Sequence, residues 1–165
     1  MRILGIDPGY ATVGYGLLDW DGKHFSLVGY GAIITKPGID ISVRLCEIHN
    51  DLSQLIEQFQ PDEIAIEELF FNTNQKTAIQ VGQARGVLLQ CCASHGIIPV
   101  EYTPLQVKQA VVGYGRAEKR QVMEMTRAIL KLAKIPRPDD AADALALAIC
   151  HAHSRKNNNK LGNFI

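Results

Sequence analysis

No stretch of the 165-residue chain approaches eighteen uninterrupted apolar residues, so a membrane-spanning helix is not expected. A secretory core is also missing. Met1-Arg2-Ile3-Leu4-Gly5-Ile6-Asp7 runs straight into a strand-like segment, and the expected compartment is the cytoplasm. Cysteine is scarce: Cys46, Cys91, Cys92 and Cys150 form no C-x-x-C pair, which speaks against a disulfide framework or zinc site and reads as buried thiols. Neither charge sign is in excess, with 17 Lys plus Arg against 17 Asp plus Glu. There is no internal repeat and no second domain boundary. At 47% hydrophobic and 21% charged residues, one soluble globular domain of about residues 1–154 is expected, followed by a polar tail, 155–165, expected to be disordered. This length leaves no room for a large two-lobed nucleotide-binding enzyme.

What is present is unevenly placed. Residues 1–100 hold six basic and eleven acidic residues, whereas 101–165 hold eleven basic and six acidic. Between Lys108 and Arg137 eight basic residues face only Glu118 and Glu124. A basic patch on an acidic body suits a polyanion, nucleic acid first, although a solvated amphipathic helix would look the same on charge alone.

Hydrophobic patterning predicts strands near Ile3–Ile6, Val13–Leu18 and Phe25–Thr35, joined by loops too short for parallel crossovers and hence an antiparallel meander. A helix follows from Leu45 to Phe59, then a strand over Asp62–Ile66, a helix from Gln75 to His95 and a strand over Ile97–Tyr102. Thr103-Pro104 predicts a capped helix running to Val112. Further helices are expected over Ala117–Leu132 and from near Asp139 to His153. The order is that of an α/β fold with a meander on one side of the sheet and crossover helices joining the later strands. Gly82 and Gly86 inside a helix suggest close packing, against either the sheet or a second subunit.

Several carboxylates sit among apolar residues. Asp7 lies on the first strand, Glu67 and Glu68 end the fourth, and Asp139, Asp140 and Asp143 open the last helix beside Ala141, Ala142, Ala144 and Leu145. Asp140 and Asp143 share a helix face by their i, i+3 spacing. A buried carboxylate must be paired, protonated or bound to metal, and no Lys or Arg lies within four residues of Asp7, Glu67 or Asp143. Plainer roles exist: Asp7 as a turn residue, Glu67 as an exposed strand end, Asp139 and Asp140 as helix caps. Asp143, within an Ala-rich core-facing stretch, is hardest to treat so. Oxygen ligands without a His or Cys cluster point to hard divalent cations, and with a basic patch nearby the chemistry is that of a nuclease.

The motifs Ile3-Leu4-Gly5-Ile6-Asp7-Pro8-Gly9, Ala65-Ile66-Glu67 with Phe70, Gly82-Gln83-Ala84-Arg85-Gly86, Gln106-Val107-Lys108-Gln109, Gly115-Arg116-Ala117-Glu118-Lys119 and Asp140-Ala141-Ala142-Asp143-Ala144-Leu145-Ala146 together resemble RuvC, the bacterial Holliday junction resolvase family, over residues 2 to about 153. The resemblance implies a ribonuclease H-like fold, with a five-stranded mixed sheet and helices on both faces. It implies a homodimer that nicks opposed strands of a four-way DNA junction symmetrically, in recombination and repair, alongside the RuvA and RuvB branch-migration complex. Asp7, Glu67, Asp140 and Asp143 match the family's catalytic and metal-binding acids, which implies Mg2+, with Mn2+ able to substitute and two ions per site. Lys108 and Lys119 match basic positions used at DNA, with Arg116 and Arg120 beside them, and Phe70 matches an aromatic at the junction core. Position 68 varies between Gln and Glu in the family, so the acidic Glu68 raises the question of a supplementary ligand.

Other readings remain on sequence. A ribonuclease H-like nuclease could act on a different nucleic acid, and Gly5-Ile6-Asp7-Pro8-Gly9 also opens actin-like ATP-binding modules, which need a second lobe. A non-catalytic DNA-binding protein would leave the clustered carboxylates unexplained.

Overall fold

The computed structural model describes residues 1–68 and 75–161. Five strands, β1 (Arg2–Asp7), β2 (Thr12–Trp20), β3 (Phe25–Ile34), β4 (Glu63–Glu67) and β5 (Val100–Tyr102), form one sheet in the order β3-β2-β1-β4-β5. β1, β2 and β3 pair antiparallel, as short turns require, while β4 runs parallel to β1 and to β5. Consequently β1, β4 and β5 all end at the same edge of the sheet.

Successive residues of β1 point to opposite faces, and each face has its own helical layer. Leu4 and Ile6 pack with Ile48, Leu52 and Ile56 of α1 (Ile41–Phe59) and with Leu88, Cys91 and Cys92 of α2 (Gln75–Ser94). Ile3 packs with residues of α3 (Pro104–Val112), α4 (Lys119–Ile129) and α5 (Asp139–Leu161) on the other face. Burial from both sides is why Ile64-Ala65-Ile66 of β4 reads as an unbroken apolar run.

Local chemistry sets the ends. Asp40 caps α1 by accepting from the Ser42 N–H at 2.8 Å, so that helix begins four residues before the expected Leu45. Thr103 and Gln106 form the capping box of α3, with Pro104 in the first turn. β5 is shorter than Ile97–Tyr102 because the Ile97 N–H turns back to the Cys92 carbonyl and Pro99 has no N–H to offer a ladder. α4 is shorter than Ala117–Leu132: Glu118 is its N-cap, and Lys131 takes a left-handed φ of 54° just past its end. α5 continues past His153 to Leu161. Its later turns are tied down where His151 meets the Tyr102 hydroxyl (2.9 Å) and the Glu63 carboxylate, which Arg155 also pairs.

Two expectations need correction. Cys46 is exposed, on the solvent side of α1, although Cys91, Cys92 and Cys150 are buried as expected. Gly86 is exposed with open space where a Cβ would stand, so it is not pressed against the sheet. No helix among the described residues is long and apolar enough to cross a membrane.

Candidate active site

α5 lies on the sheet at almost backbone-to-backbone distance, because the strands beneath it carry glycines. A Cβ on Gly5 would stand 2.0 Å from the Ala144 carbonyl oxygen, and one on Gly14 would stand 2.1 Å from that of Asp140. Gly14 is the cross-strand neighbour of Asp7, and Gly5 that of Gly16. The Ala-rich sequence of α5 completes the fit from above, with Ala141, Ala144 and Ala148 at most 1% exposed. This close approach delivers the first turns of α5, and so Asp140 and Asp143, to the end of β1 where Asp7 sits.

Parallel pairing does the rest. Ile6 is in register with Ile66, so Asp7 and Glu67 emerge side by side where the two strands end, and their side chains hydrogen-bond. Asp7, Glu67 and Asp143 line one cavity of about 310 Å³ together with Lys108 of α3 and Lys119 of α4. Asp140 is half-buried just outside that lining. Glu68 is exposed, which separates it from Glu67, and Asp139 pairs with Arg137 and lies 4.0 Å from Lys119.

The electrostatics are those of crowded acids. Burial, followed by the negative charges of Glu67, Asp143 and Asp140, pushes the Asp7 carboxyl up to about 8, with Lys119 opposing. Burial and then Asp143 also raise Glu67, against its hydrogen bond to Asp7 and the charges of Lys119 and Lys108. Asp143 is raised by burial despite a Lys119 ammonium 2.8 Å away. Burial works to lower Lys119, but its bond to Asp143 and the surrounding carboxylates outweigh this and hold it above its ordinary value. The carboxylates are thus managed in two ways at once, by protonation at Asp7 and by pairing at Asp143. The pairing lysine is distant in sequence, which is why no partner was visible there.

An all-oxygen donor set with surplus negative charge fits hard divalent cations by its chemistry. Among the described residues, no three His, Cys, Asp or Glu side chains stand close enough to hold an ion as they are. Lys119 meanwhile supplies positive charge beside Asp143.

Of the expected DNA contacts, Lys108 and Lys119 face the cavity, whereas Arg116 and Arg120 are exposed outside its lining. Phe70 lies outside the described residues. Sequence reasoning missed the glycine floor. Its signal was available: glycines at 5, 14 and 16 in two strands facing an alanine-rich helix.

A five-stranded mixed sheet with carboxylates at the ends of β1 and β4, and more on a helix laid across the sheet beside them, defines the ribonuclease H-like class. Comparison with known proteins narrows the class. The sequence model of the family described as "Crossover junction endodeoxyribonuclease RuvC" matches residues 3–151, and the chain belongs to that family. It is 56% identical over 163 residues to the crossover junction endodeoxyribonuclease RuvC of Ruminiclostridium cellulolyticum, covering 99% of this chain and 98% of the relative. Among solved structures, Thermus thermophilus RuvC superimposes with a TM-score of 0.89 at 36% identity, covering 96% of this chain and 97% of that one. The same protein in complex with Holliday junction substrate gives 0.87 at 34% identity, covering 95% and 96%.

Proposed function

We propose that this protein cuts four-way DNA junctions by paired, symmetric nicks in opposed strands, with Asp7, Glu67, Asp140 and Asp143 as its catalytic and metal-binding residues. The observation that carries this reading is the convergence of Asp7, Glu67 and Asp143 from three separate elements into one cavity with Lys108 and Lys119, in a member of a crossover junction endodeoxyribonuclease family. The cofactor is Mg2+, with Mn2+ able to substitute, and two ions per site. When bound, such ions supply charge neutralisation at the phosphate and activation of water. The protein's own part is to bring the carboxylates together on the glycine floor. Asp7, Glu67, Asp140 and Asp143 would hold the ions, with the Asp7 proton passing to solvent, and Lys119, which pairs with Asp143 in the metal-free site, would then be free to meet a phosphate oxygen. Lys108, Arg116 and Arg120 extend the cationic surface along the DNA, each phosphate contact contributing a salt-dependent share of the affinity. Phe70 is proposed to stack on a base at the crossover.

Symmetric nicking calls for two sites, and hence a homodimer. α2 offers a face for it: Ile79 is 69% exposed, and Gly86, two turns farther on, presents bare backbone on the same face. The RuvA and RuvB branch-migration complex is the proposed functional partner, and the cytoplasm the proposed compartment.

The ion is tested by comparing cleavage in Mg2+, Mn2+ and Ca2+. Magnesium and manganese support cutting, whereas calcium supports binding with little cutting, because it favours more ligands at longer distances. Equal rates in calcium contradict the assignment.

A further inference from the structure

A second cavity, of about 550 Å³, opens at the same edge of the sheet as Asp7 but on the α1 side. The turn after β1 supplies Tyr10, the start of β2 supplies Thr12, the β3–α1 connection supplies Thr35 and Pro37, and α1 supplies Arg44. Tyr10 is three residues along the chain from Asp7, and Thr12 pairs with Ile34 where β3 ends, so the chain itself ties this cavity to the catalytic edge.

Arg44 is its unusual feature. The residue is only 7% exposed, and its guanidinium lies over the Tyr10 ring, 5.1 Å from the centroid. Nη2 donates to the Lys36 carbonyl at 2.6 Å, while the buried Nε has no hydrogen-bond partner. No carboxylate lines the cavity, and among the described residues none forms an ion pair with Arg44. A guanidinium stays charged in any protein environment, and a buried charge without a counter-ion is costly. Nη1, which neither bonds within the protein nor is closed off from solvent, is the donor left to meet a phosphate oxygen from the cavity.

We infer that Arg44 and this cavity form a second phosphodiester-binding subsite, which holds a backbone phosphate of the bound DNA other than the one being cut. The inference rests on the reading that the carboxylate edge binds DNA. A strand laid along that edge carries a phosphate at every nucleotide, and anchoring one of them on the α1 side fixes the register of the strand over Asp7. Arg44 is then a positioning residue, acting through the strand rather than on the reacting atoms.

Binding without divalent metal tests this apart from any cutting. The salt dependence of junction affinity is measured for the wild type, Arg44→Lys and Arg44→Met. The expected result is a log–log slope shallower by about 0.9 in Arg44→Met and retained in Arg44→Lys, where the charge survives. Single neutral methylphosphonate substitutions around the cut position give the second readout. One position other than the scissile phosphate weakens wild-type binding about tenfold and has no further effect on Arg44→Met. A lowered melting temperature with unchanged slope and an identical interference map overturns the proposal and makes Arg44 an anchor for the β3–α1 connection alone. Should Arg44→Met fail to fold, the Arg44 Nε–H resonance of the wild-type protein decides. A shift on adding junction DNA supports the subsite, whereas no shift, or a shift only with inorganic phosphate, overturns it. None of these readouts needs cleavage, so failure of the junction-cutting reading would appear separately, as absent nicking with the Arg44 effects intact.

Discussion

A proton on Asp7 is the simplest consequence of packing acids together away from water. With its carboxyl raised to about 8, the residue is mostly neutral at pH 7 and bonds to Glu67. A cation can use it only after displacing that proton, so affinity for Mg2+ or Mn2+ rises with pH through about 8. Titration calorimetry at pH 7 in two buffers of different ionisation enthalpy should register about one proton released per wild-type site and none from Asp7 in Asp7→Asn. The stability consequence has a definite sign. Between the unfolded value of 3.8 and about 8 the folded state holds a proton that the unfolded state has lost, so metal-free stability falls as pH rises through that window. Asp7→Asn removes this dependence, and its melting temperature should overtake that of the wild type increasingly from pH 4 to pH 8. In catalysis the order is reversed: Asp7→Asn, Glu67→Gln, Asp140→Asn and Asp143→Asn each lower cleavage by about a hundredfold or more, with folding and junction binding preserved. Single-turnover rates on a labelled junction measure the loss, and near-normal rates in two of these variants would exclude the assignment.

At the scale of elements, the site depends on how closely α5 can approach β1 and β2. A methyl group at Gly5 or Gly14 meets α5 backbone, which cannot swing aside as a side chain would. Gly5→Ala and Gly14→Ala should therefore cost about 1–3 kcal/mol in chemical denaturation. Their cleavage should fall further than their stability, because Asp140 and Asp143 move with the helix. Gly29→Ala, with open space at its Cβ position, is the control and should leave both unchanged. This level was partly legible in the sequence. The meander, α3 with its Thr103 cap and the parallel strands follow from short-range rules, and Asp7 and Asp143 stood out because an acid among apolar residues has few stable roles. The approach of Lys119 to Asp143 was not legible, since it joins the start of α4 to the second turn of α5 across 24 residues and depends on helix packing. The end of β5 was misjudged for a related reason: Ile97 and Ile98 have strand-like side chains, but Ile98 is 77% exposed and the segment pairs with nothing before Val100.

For the whole molecule, the neutral total charge hides an acidic sheet edge bordered by basic helices, a distribution that admits a polyanion while reserving the carboxylates for cations. The proposed dimer can be tested on α2. Ile79→Glu should shift sedimentation-equilibrium profiles toward the monomer with an unchanged melting profile for the fold, because Ile79 contributes nothing to the core of its own subunit. Such a monomer would still bind DNA but lose the pairing of its nicks. The most direct test of the central claim is strand-resolved cleavage in magnesium of three substrates: a four-way junction, a linear duplex of the same sequence and an RNA:DNA hybrid. The account predicts paired nicks at symmetry-related positions of two opposed junction strands, little cutting of the other two substrates, and no nicks with Asp7→Asn. Comparable cutting of the duplex or hybrid, or junction nicks that persist in Asp7→Asn, would contradict it.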